Sequence, residues 1–390
     1  MKKSIIIGLL LILNGCSANQ QSQSINTKNN KREATINYQK PIKIEKSLEK
    51  KIGSMLMVGF MGTTAYPNSQ ICRDIHNYNL GGVILFDYNP VNHAEAKNIS
   101  NPIQLAKLTK QLQNCSVDGK LLIAVDQEGG RVQRLKQKYG FYGKFPKAKD
   151  VRCMSDDKVS KLYNYMGAEL SSVGINYNLA PVADLAINKR NRVIYKLGRS
   201  FGSNPNDVIR YDTIFINAMN QNGVLTALKH FPGHGSSLGD THKGFVDVTK
   251  LWQRKELEPY RVLSRQGVID TIMVAHVFNK RLDSKYPATL SAKTVNGLLR
   301  YQLGFDGVVI TDDLQMGAIT HRYGLKNTLK LAINAGDDLL LFGNQLSVKN
   351  MISTKRLVDT IKQMVLKGDI RKETIDKSNE RLDRLKQKLL

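Results

Sequence analysis

Residues 121–131 read Leu-Leu-Ile-Ala-Val-Asp-Gln-Glu-Gly-Gly-Arg: five apolar residues in unbroken succession, then two carboxylates either side of an amide, two glycines and a guanidinium. An apolar run without alternation suits a β-strand buried on both faces, and such strands belong to parallel sheets covered by helices. The pattern recurs along the chain. Apolar runs stand at 55–60, 82–86, 121–125, 175–182, 224–228, 272–277, 308–311 and 339–342. Amphipathic stretches suited to helices separate most of them, at 103–112, 159–170, 208–220, 292–301 and 326–334. Strand alternating with helix predicts parallel β-α units. Eight such units predict an α/β fold of the TIM type, a closed (β/α)8 barrel rather than an open doubly wound sheet. The last stretch, 355–390, reads as one or two charged helices packed outside, with no room for a second large domain. A single barrel domain over 45–390 is therefore expected, a length α/β barrels routinely use as one unit.

The segment ahead of the barrel has a different character. Met1-Lys2-Lys3 is a basic head, followed by an apolar run at 5–13 that is too short to span a bilayer and suits the core of a secretory signal. It ends in Leu13-Asn14-Gly15-Cys16, which resembles a bacterial lipobox, with cleavage after Gly15 and lipid on Cys16. The reading is thus a leader over 1–15 and a lipid-anchored tether over 16–44. The tether is rich in Ser, Asn, Gln and Lys and too poor in apolar residues to order itself. The protein is then expected outside the cytoplasm, held to a membrane; where a cell has two membranes, Ser17 points to the outer one. Without Cys16, the cysteines left are Cys72, Cys115 and Cys153. An oxidising compartment allows one disulfide and one free thiol among them, and the pairing is not readable from spacing.

The formal net charge is +25. Anionic partners are one reading of such a charge. No short Lys/Arg run with interleaved aromatics stands out, however, so it reads as a solvated Lys-rich surface and nucleic acid is not expected. No Walker loop, dinucleotide fingerprint or zinc spacing occurs, so no cofactor is expected.

Active sites of barrels gather at the carboxyl ends of the strands. Four apolar runs here deliver polar groups to that end. Asp126-Gln127-Glu128-Gly129-Gly130-Arg131 follows the third, and Lys229-His230-Phe231-Pro232-Gly233-His234-Gly235 the fifth. His276 ends the sixth and Asp312-Asp313 follows the seventh. These segments carry a resemblance. Residues 126–134 (DQEGGRVQR), 198–202 (GRSFG), 229–242 (KHFPGHGSSLGDTH) and 311–316 (TDDLQM) resemble the signatures of glycoside hydrolase family three, in particular its β-N-acetylglucosaminidase branch. Residues 178–182 (NLAPV) and 287–291 (PATLS) match as well, in the expected order over about 50–345; the stretch 193–197 ahead of Gly198 is slightly longer than the family pattern.

The resemblance implies a retaining hydrolase that removes terminal β-linked N-acetylglucosamine, with peptidoglycan fragments as the expected substrate. Asp312 matches the nucleophile, an ionised carboxylate able to form and release a glycosyl ester. Asp313 is its neighbour or a helix cap. His242, held by Asp240, matches the acid/base, since a carboxylate orients an imidazole and favours its charged form. Gly233, Gly235 and Gly239 are expected to let that loop close and reopen. Asp126, Arg134, Arg199, Lys229 and His230 match the residues that hold the terminal sugar. His276 reads equally as pocket floor or as a satisfied core histidine. A metal site at His234, Asp240 and His242 is set aside, because the spacing is not that of a zincin and a Gly-rich loop makes a poor rigid cage. The competing functions are a β-glucosidase or a phosphorylase of the same family, and a lipid-anchored glycan-binding protein without catalysis.

Overall fold

The computed structural model describes residues 46–346 and 348–389. The leader, Cys16 and the tether lie outside the described residues. Eight strands form the centre: β1 (Leu56–Gly59), β2 (Gly82–Ile84), β3 (Leu122–Val125), β4 (Tyr177–Asn178), β5 (Leu225–Phe231), β6 (Thr271–Val274), β7 (Val308–Thr311) and β8 (Leu340–Phe342). Neighbours pair in parallel in the order β8-β1-β2-β3-β4-β5-β6-β7. The ring closes where Ile310 bridges Leu339 and the Thr311 N–H donates to the Leu339 carbonyl at 3.0 Å. This is the expected (β/α)8 barrel. Every residue of these strands is buried, which is why they read as continuous apolar runs.

A helix follows each strand: α1 (Gln70–Tyr78), α2 (Pro102–Cys115), α3 (Asp156–Ser172), α4 (Pro205–Gln221), α5 (Glu258–Gln266), α6 (Lys293–Gln302), α7 (Leu325–Ala335) and α8 (Thr354–Leu366). The last expected segment divides in two: α8 completes the eighth β-α unit, and a further helix, Lys372–Lys386, follows it. Local chemistry sets several helix starts. Asn101 Oδ1 accepts from the Gln104 N–H at 2.9 Å with Pro102 in the first turn, and Asn204 and Pro205 repeat the arrangement for α4. A disulfide joins Cys72 on α1 to Cys115 on α2, with Cα atoms 5.2 Å apart, and Cys153 is a free, exposed thiol. Among the described residues no helix is long and apolar enough to cross a membrane.

The irregular strand is β4. The apolar run at 175–182 yields only two ladder residues, because Pro181 has no N–H to give. Beyond it the chain stays beside β5: Val182 bridges Lys229, the Lys229 N–H donates to the Pro181 carbonyl at 3.1 Å, and the Ala183 N–H to the Lys229 carbonyl at 2.7 Å. The β5–β6 register shifts at the same place, between Lys229 and Phe231. Lys229 and His230 are thus fixed by backbone pairing, not by a loop.

Candidate active site

The carboxyl ends of the strands surround a cavity of about 460 Å³. Asp126, Arg134, Arg199, Lys229, His230, Asp240, His242 and Asp312 all line it, so every site residue expected within the barrel comes together in one place.

Its floor is an ion cluster. The Lys229 ammonium, its side chain only 3% exposed, lies 2.9 Å from Asp126 Oδ1 and 2.7 Å from Glu128 Oε1. Asp126 Oδ2 accepts from Arg134 Nη2 at 3.0 Å, and Glu128 takes both Nε and Nη2 of Arg199 at 2.8 Å. Burial alone would raise both carboxyl pKa values. The neighbouring cations outweigh it, holding Asp126 far below the carboxylate range and Glu128 down to about 2. Burial likewise opposes a charged Lys229, and the two carboxylates reverse that, leaving its pKa raised. The cluster is therefore fully ionised at neutral pH, with directional donors and acceptors preset for sugar hydroxyls.

Glu128 and Asp184 belong to this floor and were not among the expected site residues. Asp184 Oδ2 accepts from His230 Nδ1 at 2.6 Å, and Oδ1 from the His234 N–H at 2.7 Å. A carboxylate only accepts, so His230 carries its proton on Nδ1 and turns Nε2 toward Arg199 and the cavity. His234 lies buried, with Nδ1 2.7 Å from Ser237 Oγ, and burial lowers its pKa to about 4, which keeps it neutral.

Asp312 follows β7, its N–H bonded to the Val274 carbonyl at 3.1 Å. Burial raises its pKa. Electrostatic interaction with the nearby His276, His230 and His242 rings and the Asp313 N–H, 2.8 Å from its Oδ1, lowers it further than burial raises it, so the carboxylate stays ionised. Asp313 also lines the cavity, but its carboxylate is taken up by backbone donors. Its Oδ1 accepts from the Gln315 N–H at 3.0 Å and the Gly343 N–H at 3.3 Å, tying the turn to the end of β8, and burial raises its pKa to about 6. The two adjacent aspartates thus differ in partners and ionisation: Asp312 is held charged, while Asp313 is tied to the backbone of the turn with its pKa raised. His276 proves to be a satisfied core histidine. Its Nε2 donates to the Asp313 carbonyl at 2.9 Å and its Nδ1 meets Thr289 Oγ1 at 2.8 Å.

His242 comes from the 233–243 loop. Its Nδ1 donates to Asp240 Oδ1 at 2.9 Å, and its own N–H donates to the same oxygen at 3.0 Å, which leaves Nε2 free. Burial would raise the Asp240 pKa, but these bonds lower it overall. The loop is latched to the segment after Asp312: the Gly317 N–H donates to the His242 carbonyl at 3.2 Å and the Ala318 N–H to the Thr241 carbonyl at 3.1 Å. The glycines read as sources of loop freedom stand at close approaches instead. A Cβ on Gly235 would lie 1.7 Å from the Leu185 carbonyl oxygen, and one on Gly239 2.7 Å from Val246.

Comparison with known proteins agrees with this geometry. Residues 47–385 match the family described as Glycosyl hydrolase family 3 N terminal domain. The chain is 36% identical over 268 residues to a beta-hexosaminidase of Tolumonas auensis, covering 68% of this chain and 76% of that protein. It is 33% identical over 339 residues to beta-hexosaminidase A of Pseudoalteromonas piscicida, covering 81% of this chain but only 54% of that longer protein. Among solved structures, a glycoside hydrolase family 3 beta-N-acetylglucosaminidase from Paenibacillus sp. superposes with a TM-score of 0.78 at 34% identity, over 88% of this chain and 63% of that one. The beta-N-acetylhexosaminidase of Beutenbergia cavernae gives 0.77 at 28%, over 88% and 99%. The matched family region, the barrel and the relatives agree: the chain belongs to glycosyl hydrolase family 3.

Proposed function

We propose that the protein is a retaining exo-β-N-acetylglucosaminidase that takes terminal β-linked N-acetylglucosamine from peptidoglycan-type fragments. One observation carries the reading: an ionised Asp312 and a dyad of His242 and Asp240 line the same cavity, over a floor of paired charges. The relatives named beta-hexosaminidase and beta-N-acetylglucosaminidase support it.

In the first step Asp312 attacks the anomeric carbon as the glycosidic bond breaks. The departing oxygen takes a proton from His242 Nε2, and a glycosyl ester remains on Asp312. Asp240 makes this possible by orienting the ring and stabilising the imidazolium that must form. In the second step neutral His242 takes a proton from water, the water oxygen bonds to the anomeric carbon, and Asp312 leaves. The sugar is released with its configuration retained. Asp126, Lys229, Arg199 and Arg134, together with His230, hold the terminal sugar so that this displacement starts from an aligned geometry. The proposal includes a lipid on Cys16 and a position outside the cytoplasm. The Cys72–Cys115 disulfide is consistent with that, since such bonds persist in oxidising compartments.

The test is a panel of nitrophenyl β-glycosides assayed with the wild type and Asp312→Asn. N-Acetylglucosaminide is expected to be turned over well ahead of glucoside, and Asp312→Asn to reduce kcat by about 10⁴-fold or more while glycan binding persists. Preference for the glucoside would overturn the substrate assignment. Undiminished turnover in the variant would remove Asp312 from the chemistry. Product analysis in phosphate buffer separates hydrolysis from phosphorolysis: appearance of the 1-phosphate would replace water with phosphate in the second step.

A further inference from the structure

Lys97 is completely buried, in the segment that returns from the end of β2. Its backbone is fixed on both sides. Tyr88 bridges Ala96 across the preceding hairpin, the Asn98 N–H donates to the Phe86 carbonyl at 3.0 Å, and the Gly62 N–H donates to the Lys97 carbonyl at 3.1 Å. The side chain reaches past β1, which lies between β2 and β8 in the barrel, to the segment after β8. There Nζ donates to the Gly343 carbonyl at 3.1 Å, the Asn344 carbonyl at 2.7 Å and Gln345 Oε1 at 2.9 Å. An ammonium has three donors and no acceptor, so three oxygens satisfy it completely. A neutral amine would turn its lone pair on one of them. Burial opposes the charge and lowers the pKa to about 7, with Arg134 acting the same way and Asp313 against it. An apolar chain of similar length would fill the space without that cost, so what the ammonium adds is the position of the oxygens it binds.

Those oxygens belong to the piece of chain that holds the turn after Asp312. The Gly343 N–H donates to Asp313 Oδ1 at 3.3 Å, the Asn344 N–H to Gln315 Oε1 at 2.7 Å, and Gln315 Nε2 to Asn344 Oδ1 at 3.0 Å. The Asp313 N–H in turn donates to Asp312 Oδ1 at 2.8 Å. The ammonium also lies 4.7 Å from the centre of the Phe86 ring, which the Arg134 guanidinium approaches to 5.2 Å. Resting on the reading of Asp312 as nucleophile, we propose that Lys97 is a positioning residue for it: by holding 343–345 in place, the ammonium sets the turn that aims the Asp312 carboxylate at the anomeric carbon. Its influence falls on nucleophilic attack, whatever the leaving group, and so differs in kind from that of His242.

The experiment follows ester formation with an N-acetylglucosaminyl fluoride that carries a second fluorine at C5, so that the ester forms and is released slowly. Mass spectrometry locates the label and gives the rate constant of labelling. Wild type is expected to be labelled on Asp312. In Lys97→Met the saturating rate constant falls about 10²-fold, the half-saturating concentration stays near wild type, and kcat falls alike on a natural disaccharide and an activated aryl glycoside. Lys97→Arg, which keeps the charge, recovers much of the rate. Labelling of Lys97→Met at the wild-type rate would overturn the proposal. So would a smaller labelled fraction at an unchanged rate constant, because lost folding removes molecules without slowing those that remain. If Lys97→Met yields no folded protein, Gln345→Met takes one acceptor from the ammonium and leaves the ammonium in place. Its labelling should slow about tenfold, and an unchanged rate constant would again overturn the proposal. Failure of the underlying reading is separate: it is seen as label on a residue other than Asp312 in the wild type.

Discussion

On one side of the cavity the Lys229 side chain is 3% exposed and held between two carboxylates; on the other, the His242 side chain is 55% exposed and leans on a single aspartate. The floor is made by strand ends, fixed by barrel pairing and backbone bridges. The dyad sits on a loop and depends on a latch of two backbone hydrogen bonds. The difference matches the tasks. A sugar-holding surface works best when its charges are already oriented, because no reorganisation is then needed on binding. An acid/base must exchange protons with water between steps, and exposure allows this. Ionisation follows the same division: buried carboxylates stay charged because cations surround them, whereas His242 keeps one ring nitrogen free for transfer.

The sharpest way to separate the two regions is through rate against stability. His242→Ala should lower kcat on a natural disaccharide by about 10² to 10⁴-fold, while leaving unfolding free energy within about 0.5 kcal/mol, as expected for an exposed side chain. With an activated aryl leaving group, which needs no proton, ester formation should suffer less. Single-turnover kinetics on both substrates checks this. Equal damage to that step with both would deny the imidazole its acid role.

Glu128→Gln should behave in the opposite manner. It leaves Lys229 with one of its two carboxylates and takes from buried Arg199 the carboxylate it is paired with; breaking a buried pair costs about 3–5 kcal/mol, measured by denaturant unfolding. The pH dependence has a definite sign. The folded pKa of Glu128 is depressed from 4.5 to about 2, so its stabilisation is complete above 4.5 and fades as pH falls toward 2. Wild type should lose stability through that window, and the variant should lose less of it. Identical acid profiles would mean that the cluster contributes nothing to folding.

How much of this division was legible in the sequence depends on what each part is made of. The eight strands were readable because burial on both faces writes itself as uninterrupted apolar residues; β4 fell furthest short of its run, with two ladder residues from the stretch 175–182 that contains Pro181. Helices α1 and α5 were not singled out, being short and largely polar. Asp312, His242, Asp240 and five residues around the floor (Asp126, Arg134, Arg199, Lys229 and His230) were reached by motif. Glu128 and Asp184 were missed although the signal existed. Glu128 is two residues past Asp126, hence on the same face of an extended chain. Asp184 follows the fourth apolar run as Asp126 follows the third. The disulfide could not be paired in advance, since it depends on how α1 and α2 pack side by side.

The latch offers the finest test of the comparison. Gly317 donates its N–H to the His242 carbonyl, and a Cβ placed on it would lie 2.8 Å from that same oxygen, too close for either group to stay where it is. Gly317→Ala should therefore displace the loop by a fraction of an ångström without touching the floor. A shift of that kind in a proton donor costs at most about 10² in rate. The signature should be selective: kcat falls on the natural disaccharide, KM stays near wild type, and the activated aryl substrate is nearly spared. A matching loss on both substrates would mean that the change reaches Asp312, which lies five residues earlier, and the loop would then not be an independent part of the site. Full activity on both would show that His242 is positioned by Asp240 alone, with the two backbone bonds holding a loop that needs no holding.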